Sequence, residues 1–170
     1  MSQRLKHGPC GSPPITLYEA VIEAICITEQ QSKKKQIELE INIDKDHFVK
    51  FEKTSFINLV FNNLITNAIK FSFPNSRITL ESTRKRNTVE LSIRDYGIGM
   101  PPQMIDDIFD ISKTTSRSGT DEEQETGYGM PLVKKFMLAY GGNINVKSVE
   151  KAGDSTKHGT EVILSFLCDA

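Results

Sequence analysis

Apolar side chains fall at helical spacing in some stretches of this chain and alternate strictly with polar ones in others. Leu17, Val21 and Ile25, with Ile22 alongside, mark the buried stripe of a helix, opened by Thr16 and Glu19 as a T-x-x-E capping box. The run Ser32-Lys33-Lys34-Lys35-Gln36 closes it, because cations suit a helix C-terminus. Ile37, Leu39, Ile41 and Ile43 then alternate with Glu38, Glu40 and Asn42, which predicts a half-buried strand. Asp44-Lys45-Asp46 turns the chain into a short partner strand over 47–51. A helix is predicted over 54–71, with Ile57, Val60, Phe61, Leu64 and Ala68 on its core face, and Pro74-Asn75-Ser76 breaks it. Strands over 78–82 and 89–93 follow, and the second runs into Asp95-Tyr96-Gly97-Ile98-Gly99. After Pro101-Pro102 comes a short helix ending near Phe109. A helix over 129–140 stops at Gly141-Gly142, and strands over 144–148 and 162–166 complete the chain.

Two stretches carry neither period. Residues 1–14, with Gly8, Pro9, Gly11, Pro13 and Pro14, read as a flexible tail. Residues 112–126 are almost free of apolar side chains and read as a mobile loop, since structured sequence resumes at once. What remains, 15–168, is one domain of mixed α/β order, with strands enough for one sheet and three main helices to cover one face.

Composition narrows the function classes. With 21 Lys and Arg against 22 Asp and Glu the net charge is -1, which gives no case for nucleic acid or an acidic membrane. No run approaches the roughly 18 apolar residues of a membrane helix. The three cysteines, Cys10, Cys26 and Cys168, lack CxxC spacing and read as reduced thiols of a cytoplasmic protein. The three histidines are scattered, with no metal-type spacing.

The chemistry-bearing residues form three groups. Asn63, Asn67 and Lys70 share one helical face. Asparagine is a poor helix former, yet its carbonyl oxygen can ligate Mg²⁺ and a lysine one turn on can meet a phosphate. A solvated helix face explains the same spacing equally well. Asp95, Gly97 and Gly99 lie at a strand end, where glycines let backbone approach a flat ligand closely; a plain turn is the other reading. Gly127-Tyr128-Gly129-Met130 opens a helix, where backbone N–H groups and the helix dipole suit phosphate, although a lone glycine pair more often has no such role.

Order and spacing join these signals. The run from Asn63 to Ser72 resembles the N box of histidine kinases almost position for position. Asp95 to Gly99 resembles the first glycine box, Gly127 to Met130 the second, and Gly159-Thr160 the late glycine–threonine pair. Ile108-Phe109 resembles the F box, and Tyr140 to Ile144 looks like the turn after the family's last helix. The resemblance covers roughly 15–167 and points to the GHKL superfamily, and within it to the catalytic ATP-binding domain of sensor histidine kinases.

That resemblance implies a Bergerat-type two-layer sandwich, with a mixed sheet covered on one face by helices and ATP held beneath a lid over about 112–126. Asn67 would ligate Mg²⁺ with Asn63 beside it, and Lys70 would contact phosphate, which makes these three the implied catalytic set. Phe71 would pack on adenine or ribose, and Asp95 would accept from the adenine amino group, with Gly97, Gly99 and Thr160 shaping that pocket. Thr126, Gly127, Tyr128, Gly129 and Met130 would lie against the phosphates. Lys113 and Arg117 are lid charges placed to reach the γ-phosphate, or simply solvated. The implied reaction passes the γ-phosphate to a histidine on a dimerising helical hairpin. None of His7, His47 and His158 sits in the H-E or H-D motif such an acceptor needs, so that domain is expected on another segment or chain. A response regulator would follow downstream. The fragment would be monomeric and its parent a homodimer, cytoplasmic in this part, with the parent either free or anchored in the inner membrane.

The chain departs from the family pattern at Glu125, at Pro131 and at Ile111-Ser112, which puts the lid in question more than nucleotide binding. Two alternatives remain at this level, a standalone anti-sigma-factor-type serine kinase and a non-catalytic, nucleotide-gated interaction module. A hydrolytic ATPase of the superfamily would want a glutamate base in the N-box helix, and no acid lies between 54 and 71.

Overall fold

A computed structural model describes residues 13–113 and 129–168. Five strands form the main sheet among them: β2 (Glu38–Asn42), β4 (Arg77–Arg84), β5 (Thr88–Asp95), β6 (Asn143–Val149) and β7 (Gly159–Leu167). Their order is β2-β4-β5-β7-β6. β2 runs parallel to β4 and the other pairings are antiparallel, so the sheet is mixed. Alternation sorts its two faces. In β5, Val89, Leu91, Ile93 and Asp95 point inward and are buried, while Arg94 is exposed. Onto that inward face pack α1 (Leu17–Lys34), α3 (Asn62–Phe71) and α5 (Gly129–Ala139).

Three expectations differ in detail. The segment 47–51 does not pair with the preceding strand. Its strand, β3 (Phe48–Val49), pairs instead with β1 (Ile15–Thr16) in a separate two-stranded sheet. The turn explains why. Asp44 Oδ1 accepts from the Asp46 N–H, Ser82 Oγ accepts from the Asp44 N–H, and His47 Nδ1 lies 2.8 Å from the same Ser82 Oγ. The chain is thereby steered back under the start of α1, where the Leu17 N–H donates to the His47 carbonyl (2.9 Å). For the same reason the T-x-x-E box is not used: Thr16 is held in β1 and its side chain makes no capping bond.

The second difference lies in the helix over 54–71. A single turn, α2 (Lys53–Ser55), is capped by Glu52, whose carboxylate accepts from the N–H groups of Thr54 (3.0 Å) and Ser55 (2.6 Å). These bonds, the Ser55 ones foremost, hold the Glu52 carboxyl below its ordinary pKa. A six-residue π-helical segment, Phe56–Phe61, then leads into α3. Its wider turn brings residues five apart together, and the rings of Phe56 and Phe61 lie 5.8 Å apart. Ile57, Val60, Phe61, Leu64 and Ala68 are all buried, as their spacing predicts.

The third concerns the lysine run. Lys33 and Lys34 occupy the last turn of α1, but Lys35 is buried and serves another helix. Its Nζ donates to the carbonyl oxygens of Ile69 (3.0 Å) and Lys70 (2.7 Å), at the C-terminus of α3. A cation there satisfies carbonyls that have no partner within their own helix. Lys35→Met, which keeps the apolar stem, is expected to lower stability by about 2–3 kcal/mol, read from the urea midpoint. A loss below roughly 0.5 kcal/mol would mean those carbonyls do not depend on Lys35.

No described helix is long and apolar enough to cross a membrane. Of the cysteines described, Cys26 is exposed, Cys168 is buried, and both are free thiols.

Candidate functional site

A slot of about 570 Å³, counted to its open mouth, lies between the α3 face and the inward face of the sheet. Asn67 and Phe71 enter it from α3, Asp95 from the end of β5, and Thr160 from the start of β7. Its walls are otherwise apolar, with Ile93, Val146 and Val162 from the strands and Ile108 after α4 (Pro102–Asp107). Met100, Met104 and Met130 complete it. Thioether side chains have several rotatable bonds and adapt to a flat guest. An apolar slot with a few convergent polar groups is the usual form of a small-molecule site.

The strand period itself delivers the carboxylate. Asp95 falls on the inward face of β5 and is only 5% exposed. Its Oδ1 accepts from two backbone N–H groups, Gly97 (2.9 Å) and Thr160 (3.2 Å), which fix the plane of the carboxylate. A carboxylate offers about four acceptor positions, which suits it to a donor in the slot.

The glycines after Asp95 have a packing role that the sequence alone does not reveal. A Cβ on Gly97 would overlap the backbone carbonyl of Phe71, and one on Gly99 the backbone carbonyl of Val149. Gly99 also has φ +65°, a region that favours glycine. Both therefore serve close packing of backbone on backbone. The loop is stitched to its surroundings by the Ile98 N–H donating to the Phe71 carbonyl (3.0 Å) and the Lys151 N–H donating to the Ile98 carbonyl (2.9 Å). His158 Nδ1 lies 2.6 Å from the Gly97 carbonyl oxygen, so that nitrogen carries the proton.

On the α3 face, Asn63 and Asn67 are partly buried and Lys70 is buried. Asn63 Nδ2 donates to the Leu59 carbonyl (2.7 Å) inside the π segment. Its Oδ1 lies 3.2 Å from where a Cβ on Gly129 would stand, so α5 begins hard against the N-box helix. Lys70 Nζ sits over the Phe71 ring, 5.2 Å from its centroid. Pro131 falls in the first turn of α5, where a missing N–H is harmless.

Thr126, Gly127, Tyr128 and Arg117 lie outside the described residues, as does most of 112–126. Lys113 is described and does not line the slot. Its Nζ pairs with Asp107 Oδ1 at 2.5 Å, and that bond raises its pKa. Nearby, the Ser112 hydroxyl and N–H donate to Asp110 Oδ1, which lowers the Asp110 pKa. Met130 lines the slot, whereas Met100, Met104 and Ser148 were not visible to sequence reasoning as site residues; the spacing of Met100 and Met104 after the glycine loop was the available signal.

The profile of the histidine kinase-, DNA gyrase B-, and HSP90-like ATPases matches residues 52–169. The chain belongs to this ATPase family. Among its relatives, the sensor histidine kinase WalK of Bacillus subtilis is 28% identical over 127 residues, covering 73% of this chain and 21% of that protein. The sensor protein VanSC of Enterococcus gallinarum is 31% identical over 125 residues, covering 70% of this chain and 32% of its own length. The chain thus spans about a fifth to a third of these relatives. The catalytic domain of histidine kinase ThkA shares the fold at TM-score 0.74 and 23% identity, covering 91% of this chain and 94% of that one. ThkA is also solved in complex with the response regulator TrrA, where 41% of the kinase chain is covered at TM-score 0.69 and 20% identity.

The residues present suit a nucleotide carrying its own cation. Among the described residues no group of three His, Cys, Asp or Glu gathers into a metal site. Asn67, which lines the slot, offers a neutral amide oxygen. Mg²⁺ is commonly held by one or two side chains together with substrate phosphates, and this donor set fits a metal entering that way.

Proposed function

We propose that this chain is the catalytic domain of a sensor histidine kinase, passing the γ-phosphate of ATP to a histidine on a separate helical hairpin. The observation that carries the reading is the convergence of Asp95, Thr160, Phe71 and Asn67 on one apolar slot from three separate elements. In this reading the adenine amino group donates to Asp95, and Phe71 packs on the base or ribose. Asn67 holds Mg²⁺ through its amide oxygen, with Asn63 beside it, and Lys70 meets phosphate. The metal supplies charge neutralisation for phosphoryl transfer, which needs positioning more than protein-based chemistry. The backbone N–H groups of Gly127 to Met130 meet the phosphates, and Lys113 reaches the γ-phosphate once it leaves Asp107.

The two described histidines are poor acceptors. His47 is buried at the Asp44–Ser82 corner, and His158 is tied to the Gly97 carbonyl. A cytoplasmic location, a dimeric parent and a downstream response regulator belong to the same proposal, supported by the sensor kinases it resembles.

The test mixes the chain with a separately produced histidine hairpin domain and radiolabelled ATP, with and without Mg²⁺. Acid-labile, alkali-stable label on the hairpin, dependent on Mg²⁺, is the expected result. Nucleotide binding with label on serine, or with no transfer at all, would overturn it.

A further inference from the structure

Ser148, near the end of β6, is partly buried and does not itself line the slot. Its hydroxyl has three neighbours. The Met100 N–H donates to Oγ at 2.8 Å, the Gly159 carbonyl oxygen lies at 3.1 Å, and Thr160 Oγ1 lies at 2.7 Å. A serine hydroxyl has one proton and two lone pairs. Met100 occupies one lone pair. A carbonyl can only accept, so the Ser148 proton goes to Gly159. The contact with Thr160 then runs the other way, with the Thr160 hydroxyl donating to the second lone pair. This assignment alone satisfies all three contacts. The Thr160 proton is committed to Ser148, and toward the slot its oxygen can only accept.

We propose that Ser148 is a positioning residue that sets base specificity by holding the Thr160 proton away from the slot. The inference rests on reading the slot as the nucleotide-base site. Asp95 and Thr160 are the polar side chains that the strands contribute to the slot, on neighbouring β5 and β7, with the Thr160 N–H already bound to Asp95 Oδ1. With both side chains accepting, the strand side of the slot welcomes a 6-amino purine and offers no side-chain donor to a 6-oxo purine. An unpaired carbonyl facing acceptors is costly, which is how a polar site rejects an isostere. Removing the Ser148 hydroxyl releases the Thr160 proton to turn toward the slot and donate to a 6-oxo group. It also withdraws the acceptor from the Met100 N–H, whose side chain forms part of the wall.

The experiment measures ADP and inosine diphosphate binding by calorimetry on the whole chain, for wild type, Ser148→Ala and Ser148→Thr. The preference for ADP is expected to fall about tenfold in Ser148→Ala, the size of one hydrogen bond, and to be retained in Ser148→Thr. In a Thr160→Val background, Ser148→Ala is expected to leave the preference unchanged, since the group it acts through is gone. Equal loss of both nucleotides in Ser148→Ala would make Ser148 a structural prop and overturn the inference. If the alanine variant lacks a native circular dichroism spectrum, Ser148→Cys, a weak acceptor of similar size, replaces it with the same expectation. Wild type and Asp95→Asn separate the two readings: equal ADP binding by both would sink the base-site assignment. A loss in Asp95→Asn with an unchanged preference in Ser148→Ala would sink only the role of Ser148.

Discussion

Asp95→Asn is expected to lower ADP affinity roughly 100-fold while the chain stays folded. The two halves of this expectation come from the two oxygens. An asparagine Oδ1 still accepts from the Gly97 and Thr160 N–H groups, so the local backbone keeps its bonds. The other oxygen becomes an NH₂ group, which meets an incoming amino group donor to donor. The loss combines a charge-assisted hydrogen bond with the cost of two donors facing each other in an apolar slot. Calorimetry for affinity, beside a thermal melt for folding, reads both. Unchanged affinity would mean that the base does not sit against Asp95. A collapsed melt would mean that the carboxylate's charge, rather than its shape, holds the loop.

Gly97→Ala is expected to cost about 2–4 kcal/mol of stability, with nucleotide binding lost. The new Cβ would overlap the Phe71 carbonyl, and the nearest atoms are backbone, which cannot swing aside as a side chain tip would. Any shift that relieves the overlap pulls at the Gly97–Asp95 bond and at the Ile98 N–H on Phe71. The substitution thus strikes two walls of the slot at once. Gly153 supplies the contrast, since a Cβ there meets nothing within 4 Å. Gly153→Asn keeps a residue tolerant of its φ of +55° and is expected to cost no more than about 1 kcal/mol. Urea denaturation of the two variants side by side decides the matter. Equal midpoints would show that the Gly97 loop can move away from α3 without penalty.

Much of the site was legible because its residues obey local periods. Asp95 reaches the slot through the period of β5, and Asn63, Asn67 and Lys70 share a face because residues three and four apart on a helix do. The core faces of α1, α3 and β5 follow from the same arithmetic. Where the reading missed, the cause was a partner distant in sequence. Lys35 looked like the end of its own helix, yet its Nζ lies on carbonyls 34 and 35 residues away. The segment 47–51 looked like a hairpin partner, but pairing with residues 15 and 16 won once Ser82 had captured the turn. The π segment could not be seen in the apolar stripe, since the stripe faces inward either way and only the backbone bonding differs.

The sequence by itself determined the element types, the inward faces and the family, because these rest on spacing within single segments and on the order of short motifs. Tertiary structure alone decided which strand neighbours which, why Gly97 and Gly99 must be glycine, and that one serine hydroxyl joins the glycine loop to Thr160. Those outcomes depend on atoms brought within about 3 Å from segments many residues apart, where a single proton or methyl selects between arrangements of nearly equal local propensity.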